Sequence, residues 1–313
     1  VGQGCLEKAG IKMNTFEHLL YYDLYSPFRN AVLERELPGL CRRFTKILVD
    51  DDYPSEHLAD MFDTCDCLVT GVFDNYQKVL KTNAKLRRIF LLASDTSDFA
   101  GVELKERGIR FSSAAGYSTS SVAELSIAMM ILLARGFISA TSSIAPAANM
   151  GRDLQGKKLL VLGAGRIGKA IGKRAECMGM EVQYSSNQSS RIRLGSLSTD
   201  LRKAVSETDV LAVALPATLD NRGILSRELL NLLRDEAIIV SPARIDLFDA
   251  DALVDACREK SIGLWLDGVE DLKIKSRFVG AAANIIVTPS LGARSLDAQV
   301  HLAQQAIQEL RKD

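Results

Sequence analysis

The stretch "KLLVLGAGRIGKAIGKRAECMGMEVQY", residues 158–184, narrows the choice of fold more than any other part of this chain. Its unbroken apolar start reads as a strand buried on both faces, and Gly163-x-Gly165-x-x-Gly168 follows directly. Ile167, Ala170, Ile171, Ala175 and Met178 then recur at helical spacing, with Arg174 at the edge of that face. Gly179 closes the helix and a second strand begins. Each glycine of the turn has its own task. Gly163 permits a tight turn, Gly165 lets the backbone approach a pyrophosphate, and Gly168 lets the helix pack close on the strand. The helix start (Arg166, Ile167, Gly168) offers free N–H groups to the anion. A dinucleotide site on a parallel sheet is the expectation.

Such a site usually carries a carboxylate about 20 positions on, bonded to the adenosine ribose. Here that place holds "YSSNQSSRIR" (184–193), which has none. Ser185, Ser186 and Asn187 can hydrogen-bond a 2′-phosphate, and Arg191 or Arg193 can neutralise it, so NADP(H) is favoured over NAD(H). A relaxed site without preference is the alternative.

The same alternation of short apolar runs and helical patterns extends along the chain, which predicts an α/β fold with parallel sheets. Strands are expected at 46–50, 67–70, 88–92 and 109–113, then at 158–162, 181–184, 209–215, 237–241, 262–267 and 284–288. Between the two series, 121–136 reads as a helix with Ser121 as N-cap and Glu124 closing a capping box, and its part 125–134 reads as buried. The small polar stretch 139–153 reads as a linker or surface loop. At 313 residues the chain exceeds what one core normally serves, so two domains are expected. Its 39 basic and 39 acidic residues include no long basic run, which argues against a nucleic-acid partner. No apolar run reaches the roughly 18 residues of a membrane span. The six cysteines are scattered, as reduced thiols of a cytoplasmic protein are, and no spacing supplies a metal site. Residues 1–12 read as an extension ahead of a natural start at Met13.

Several segments in order resemble the D-2-hydroxyacid dehydrogenase family, which includes phosphoglycerate dehydrogenases and glyoxylate reductases. They are "ERGIRFSSAAGYSTSSVAEL", the glycine turn, "TDVLAVALPATLDNRGIL", "AIIVSPARIDLFD", and "IGLWLDG" with "NIIVTPSLGARS". The resemblance implies two Rossmann-like domains, the cofactor domain (118–291) inserted into a substrate domain (13–117 plus 292–313). It also implies a homodimer, a small carboxylate substrate, and cofactor contacts from Leu215, Pro216, Pro242, Ala243 and Asp267. The family's catalytic set is arginine, glutamate and histidine. The arginine maps to Arg244, whose planar fork suits a carboxylate. The glutamate maps to Leu272, with Glu270 and Asp271 close by, and the histidine maps to Ser290.

A serine hydroxyl does not titrate near neutral pH, so it cannot replace an imidazole as proton donor. Reduction of a 2-oxo acid should suffer by about 10²–10⁴ without that donor. A protonated imine needs none, because hydride addition gives a neutral amine directly. The expectation is therefore a 2-imino acid reductase. Two alternatives stand beside it: a conventional hydroxyacid dehydrogenase using Glu270, Tyr117 or water as the acid, and a cofactor-binding protein without turnover. In the loop "ASDTSDF", Asp95 and Asp98 read as solvated charges, or one of them meets a cationic group on the substrate such as an amine or guanidinium.

Overall fold

The computed structural model describes residues 16–24, 27–49, 62–71, 82–94, 96, 104–137, 150–185, 196–197, 200–282 and 284–312. The chain divides into two compact units, residues 1–117 with 296–313, and residues 118–295.

The first unit is built on five parallel strands: β1 (Phe16–Leu24), β2 (Cys41–Val49), β3 (Cys67–Thr70), β4 (Arg88–Leu91) and β5 (Arg110–Ser113), in the order β2-β1-β3-β4-β5. Sequence patterning did not anticipate β1, and it started β2 five residues late. Alternate side chains of β1 enter two cores. Leu19 and Tyr21 pack with Cys67, Val69 and Phe90, while Leu20 and Tyr22 pack with Phe62, Leu68 and Ile89. The terminal helix Leu296–Leu310 returns to this unit and fills the first core with Leu302, Ala303, Ala306, Ile307 and Leu310. It lies beside helix α1 (Pro27–Glu36), where Arg29 Nη1 donates to Gln299 Oε1. Polar groups buried in β1 have their partners. The His18 ring sits between the Thr45 and Thr64 hydroxyls, and Asp23 pairs with Arg29 at 2.6 Å.

The second unit carries seven parallel strands: β6 (Lys158–Leu162), β7 (Glu181–Ser185), β8 (Ser196–Leu197), β9 (Val210–Val213), β10 (Ile238–Ser241), β11 (Gly263–Asp267) and β12 (Ile285–Thr288). Their order is β12-β11-β10-β9-β6-β7-β8. This is the doubly wound dinucleotide-binding order with one strand added. The central strands β6, β9, β10 and β11 are covered on both faces, which is why they read as apolar runs, whereas β7 alternates between buried Val182 and Tyr184 and more exposed Glu181 and Gln183. Leu160, Leu162, Leu211 and Val213 face one core, and Leu159, Val161, Val210 and Ala212 the other.

Helix α2 (Thr119–Ala134) begins two residues before the expected start. Its N-cap is Ser118, which makes no side-chain cap bond, and the expected cap Ser121 instead bonds Ser295. The capping box is replaced by a link between helices. Ser120 Oγ and Arg174 Nη2 both donate to Glu124 Oε1, at 2.8 and 3.1 Å, tying α2 to α3 (Arg166–Cys177). The Ser120 hydroxyl and Arg174 hold the Glu124 carboxyl below the usual carboxylate range. The helix is buried on one face, through Val122, Ala123, Met130 and Leu133, and within the stretch 125–134 that read as buried it leaves Ile131 exposed. Most of the expected linker, residues 139–149, lies outside the described residues.

Cys65, Cys67 and Cys257 are buried thiols, and burial pushes Cys65 and Cys257 up to about 12. Among the described residues no three His, Cys, Asp or Glu side chains converge as metal ligands do, and no helix is long and apolar enough to cross a membrane.

Candidate active site

In an open parallel sheet, ligands bind beyond the carboxyl ends of the strands, where the winding direction reverses. In the second unit that point lies between β6 and β9. The glycine turn sits there. Gly163 adopts φ +97°, donates its N–H to Ser185 O at 2.9 Å, and would place a Cβ 2.7 Å from Ala214 O. Any other residue would be strained and would collide with backbone. A Cβ on Gly168 would lie 1.9 Å from Gly163 O, so α3 approaches the turn as closely as it does only because Gly168 has no side chain. At Gly165 a Cβ would meet no atom within 4 Å. The backbone is open where a pyrophosphate has to approach, and no side chain caps the α3 N-terminus, which begins with Arg166, Ile167 and Gly168. The residues therefore fit a dinucleotide.

A fourth glycine belongs to the same packing and was missed in the motif. One turn after Gly168, a Cβ on Gly172 would lie 2.0 Å from the hydroxyl of buried Tyr184, whose pKa burial raises to about 12. The i, i+4 spacing of the two glycines was the available signal.

Ser185 ends β7 and is half-buried, with its carbonyl on the glycine turn. Ser186, Asn187, Arg191, Asp95 and Asp98 lie outside the described residues. Leu215 and Pro216 follow β9; Leu215 Cδ2 would be 3.2 Å from a Cβ on Gly163, and Pro216 O accepts from Asn221 Nδ2. Pro242 and Ala243 follow β10, with Ala243 O accepting from Ser241 Oγ at 3.1 Å. Tyr117 packs against the apolar core of the first unit.

The other candidates lie past the ends of β10, β11 and β12, which are neighbours in the sheet. Arg244 is exposed, and its Nε and Nη2 both reach Asp246 Oδ2, at 3.2 and 3.1 Å. Asp246, which the sequence did not single out, thus holds the guanidinium from its Nε side.

Asp267, at the end of β11, is buried and spends both carboxylate oxygens on the loop after β12. Its Oδ1 accepts from Thr288 Oγ1 and Leu291 N, both at 2.7 Å, and its Oδ2 from Gly292 N at 2.8 Å. Trp265 Nε1 donates to Thr288 Oγ1 at 2.9 Å, extending the network into the core. Two further bonds, from Gly268 N and Val269 N to Thr288 O, lock the loops after β11 and β12 together.

That network holds Ser290 in the left-handed region at φ +44°, which is uncommon for a residue with a side chain. Its Oγ donates to Glu270 Oε1 at 3.3 Å. Leu272 is exposed at the start of a short helix that Asp271 caps through Lys273 N and Ile274 N. Of the two carboxylates near the expected glutamate position, Asp271 is therefore committed to the cap, and Glu270 meets Ser290.

The family model described as "D-isomer specific 2-hydroxyacid dehydrogenase, NAD binding domain" matches residues 127–292, more than half of the chain. A similar curated relative is the glyoxylate reductase of Thermococcus litoralis, 28% identical over 262 residues, which span 78% of this chain and 79% of that one. Among solved structures, an acyclic imino acid reductase (Bsp5) in complex with NADPH and D-Arg superposes with TM-score 0.81 at 20% identity, covering 93% of this chain and 94% of that one. A D-2-hydroxyisocaproate dehydrogenase gives TM-score 0.81 at 16% identity, covering 94% and 95%. At those identities the two structures speak to fold alone.

Proposed function

Because this chain belongs to the D-isomer-specific 2-hydroxyacid dehydrogenase family and is an NAD(P)-dependent oxidoreductase, we propose that it reduces the C=N bond of a 2-imino acid, with NADP(H) preferred. A bound dihydronicotinamide supplies the hydride. The observation that carries the reading is the Ser290 hydroxyl past the end of β12, where the family resemblance calls for an imidazole. His18 is held by two threonine hydroxyls in the core of the first unit, and His301 is exposed on the terminal helix.

The remaining residues suit an imino acid. Arg244, gripped by Asp246 from the Nε side, has the end of its fork for a substrate carboxylate. Hydride addition to a ketone leaves an alkoxide that needs a proton, and Ser290 has no acid to give. Hydride addition to an iminium leaves a neutral amine. The fold accommodates both outcomes, since its neighbours include an imino acid reductase and a hydroxyacid dehydrogenase. The cofactor preference is supported by β7 ending in Ser185 rather than a carboxylate that would repel a 2′-phosphate.

One observation favours a second reading. Glu270 reaches Ser290, so a displaced carboxyl stands beside the vacated position and could serve as acid for an ordinary 2-oxo acid. A single assay separates the two. NADPH oxidation is followed with a panel of 2-oxo acids, with and without ammonia or methylamine. The imine reading expects turnover to rise steeply with the amine; undiminished turnover without amine assigns the site to keto acids.

A further inference from the structure

We propose that Ser290 and Glu270 form a hydrogen-bond acceptor for the N–H of the iminium, so that the site selects imino acids bearing at least one hydrogen on nitrogen. This rests on the imine reading above and narrows its substrate class.

The argument begins with what each group can donate. A carboxylate has only lone pairs, so in the Ser290–Glu270 contact the hydroxyl must be the donor. With its proton turned to Glu270, Ser290 Oγ has lone pairs left for anything else that approaches. An imidazolium at this position offers a hydrogen, which suits a carbonyl oxygen. The hydroxyl offers the reverse polarity. A ketone here would set lone pair against lone pair, whereas an iminium N–H finds an acceptor.

The placement is built rather than incidental. Five bonds determine where Ser290 lies: Gly268 N and Val269 N to Thr288 O, Thr288 Oγ1 and Leu291 N to Asp267 Oδ1, and Gly292 N to Asp267 Oδ2. A Cβ on Gly268 would stand 3.2 Å from Ser290 Oγ, so the absence of a side chain there leaves the hydroxyl its room. At 3.3 Å the bond to Glu270 is long for a hydroxyl donor, and Glu270 is exposed. Glu270 therefore acts as a positioning residue that sets the direction of the hydroxyl proton, with its charge screened by solvent.

The reaction balances without another group. The amine, as its ammonium ion, and the 2-oxo acid condense in solution to the iminium with loss of water, the ammonium proton carrying the positive charge into the product. The dihydronicotinamide then gives hydride to carbon, and the C=N electron pair moves onto nitrogen, leaving a neutral amine whose N–H still bonds Ser290.

The test compares methylamine with dimethylamine, each supplied with the same 2-oxo acid and NADPH. The methylamine iminium has one N–H and the dimethylamine iminium has none. Wild-type protein should favour the first by about tenfold or more in kcat/KM, the scale of one hydrogen bond to a charged group. Ser290→Ala should lower the methylamine rate about tenfold and bring the ratio of the two amines near one; Glu270→Gln should lower the ratio part of the way. A general loss of structure would reduce both amines alike and leave the ratio unchanged. Equal wild-type rates with both amines would overturn the proposal, and so would a wild-type ratio in both variants. Reduction of keto acid alone, with no imine turned over, would instead defeat the imine reading beneath it.

Discussion

Asp267→Asn is the substitution whose consequences can be followed furthest. The wild-type carboxylate accepts three bonds, from Thr288 Oγ1, Leu291 N and Gly292 N, and is only 7% exposed. Asparagine keeps one oxygen, enough for Thr288 and Leu291. Its amide nitrogen then faces the Gly292 N–H, donor against donor. One charge-assisted bond is lost, at about 1.5–3 kcal/mol, and a buried N–H is left unsatisfied, at about 1–3 kcal/mol. The second unit should therefore lose about 3 kcal/mol or more. Trp265 makes this measurable, because it is the chain's one tryptophan, is fully buried in that unit, and donates to Thr288 in the same network. Urea unfolding followed by its fluorescence should shift accordingly, and kcat should fall because Ser290 is no longer held at positive φ. A stability change below about 0.5 kcal/mol would refute the reasoning, since surface substitutions commonly stay within that range. If the variant kept its stability and only its KM for cofactor rose, Asp267 would be a cofactor ligand, the role the family resemblance implied.

Other expectations concern the nucleotide turn and the first unit. Gly168→Ala sets a Cβ 1.9 Å from the Gly163 carbonyl and should destabilise the second unit by about 1–3 kcal/mol while weakening NADPH binding; Gly165→Ala, where the protein leaves 4 Å of space, should weaken binding at nearly unchanged stability. Trp265 fluorescence titrated with NADPH, beside urea melts, separates these outcomes. Ser185→Asp should lower the NADPH-to-NADH ratio of kcat/KM by about tenfold or more through charge repulsion at the end of β7; an unchanged ratio would remove Ser185 from the cofactor preference. Burial lowers the His18 pKa below its ordinary 6.5, against smaller raising effects from Thr64 and Asp66 and with a lowering one from Arg43. The unfolded chain then takes up the proton first, so this contribution is intact above about pH 6.5 and declines as pH falls toward the lowered folded value. Relative to His18→Gln, the wild-type urea midpoint of the first unit should drop between pH 7.5 and 5.5, and parallel pH profiles would contradict that.

Local patterning made the second unit legible. Its central strands β6, β9, β10 and β11 stand as apolar runs because both faces of the sheet are covered there, while β7 alternates, and Gly163 and Gly168 each have a demand that only glycine meets. In the first unit β1 went unread. Its segment "FEHLLYYDL" mixes His18 and Asp23 among apolar residues; Asp23 is met by nearby Arg29, but His18 is buried between the hydroxyls of Thr45 and Thr64, 27 and 46 residues on. Partners that far away in sequence leave no periodic trace. The site corner was half legible. Motif order pointed to Arg244 and to the vacancy at Ser290, but the meeting of Ser290 with Glu270 depends on a turn through Gly268 at φ +76° and on the loop bonds to Asp267. The capping role of Asp271, which removes it from the site, likewise appears only once the short helix after it is in place.

The central claim is that the reacting corner has no proton to give and is therefore matched to C=N. It is tested most directly by supplying one 2-oxo acid with ammonium and limiting NADPH, then counting amino acid and hydroxy acid formed per NADPH consumed. The account predicts that amino acid accounts for nearly all the reducing equivalents, and that hydroxy acid formation without ammonium is slower by about 10²-fold or more. Hydroxy acid as the main product in the presence of ammonium would contradict it.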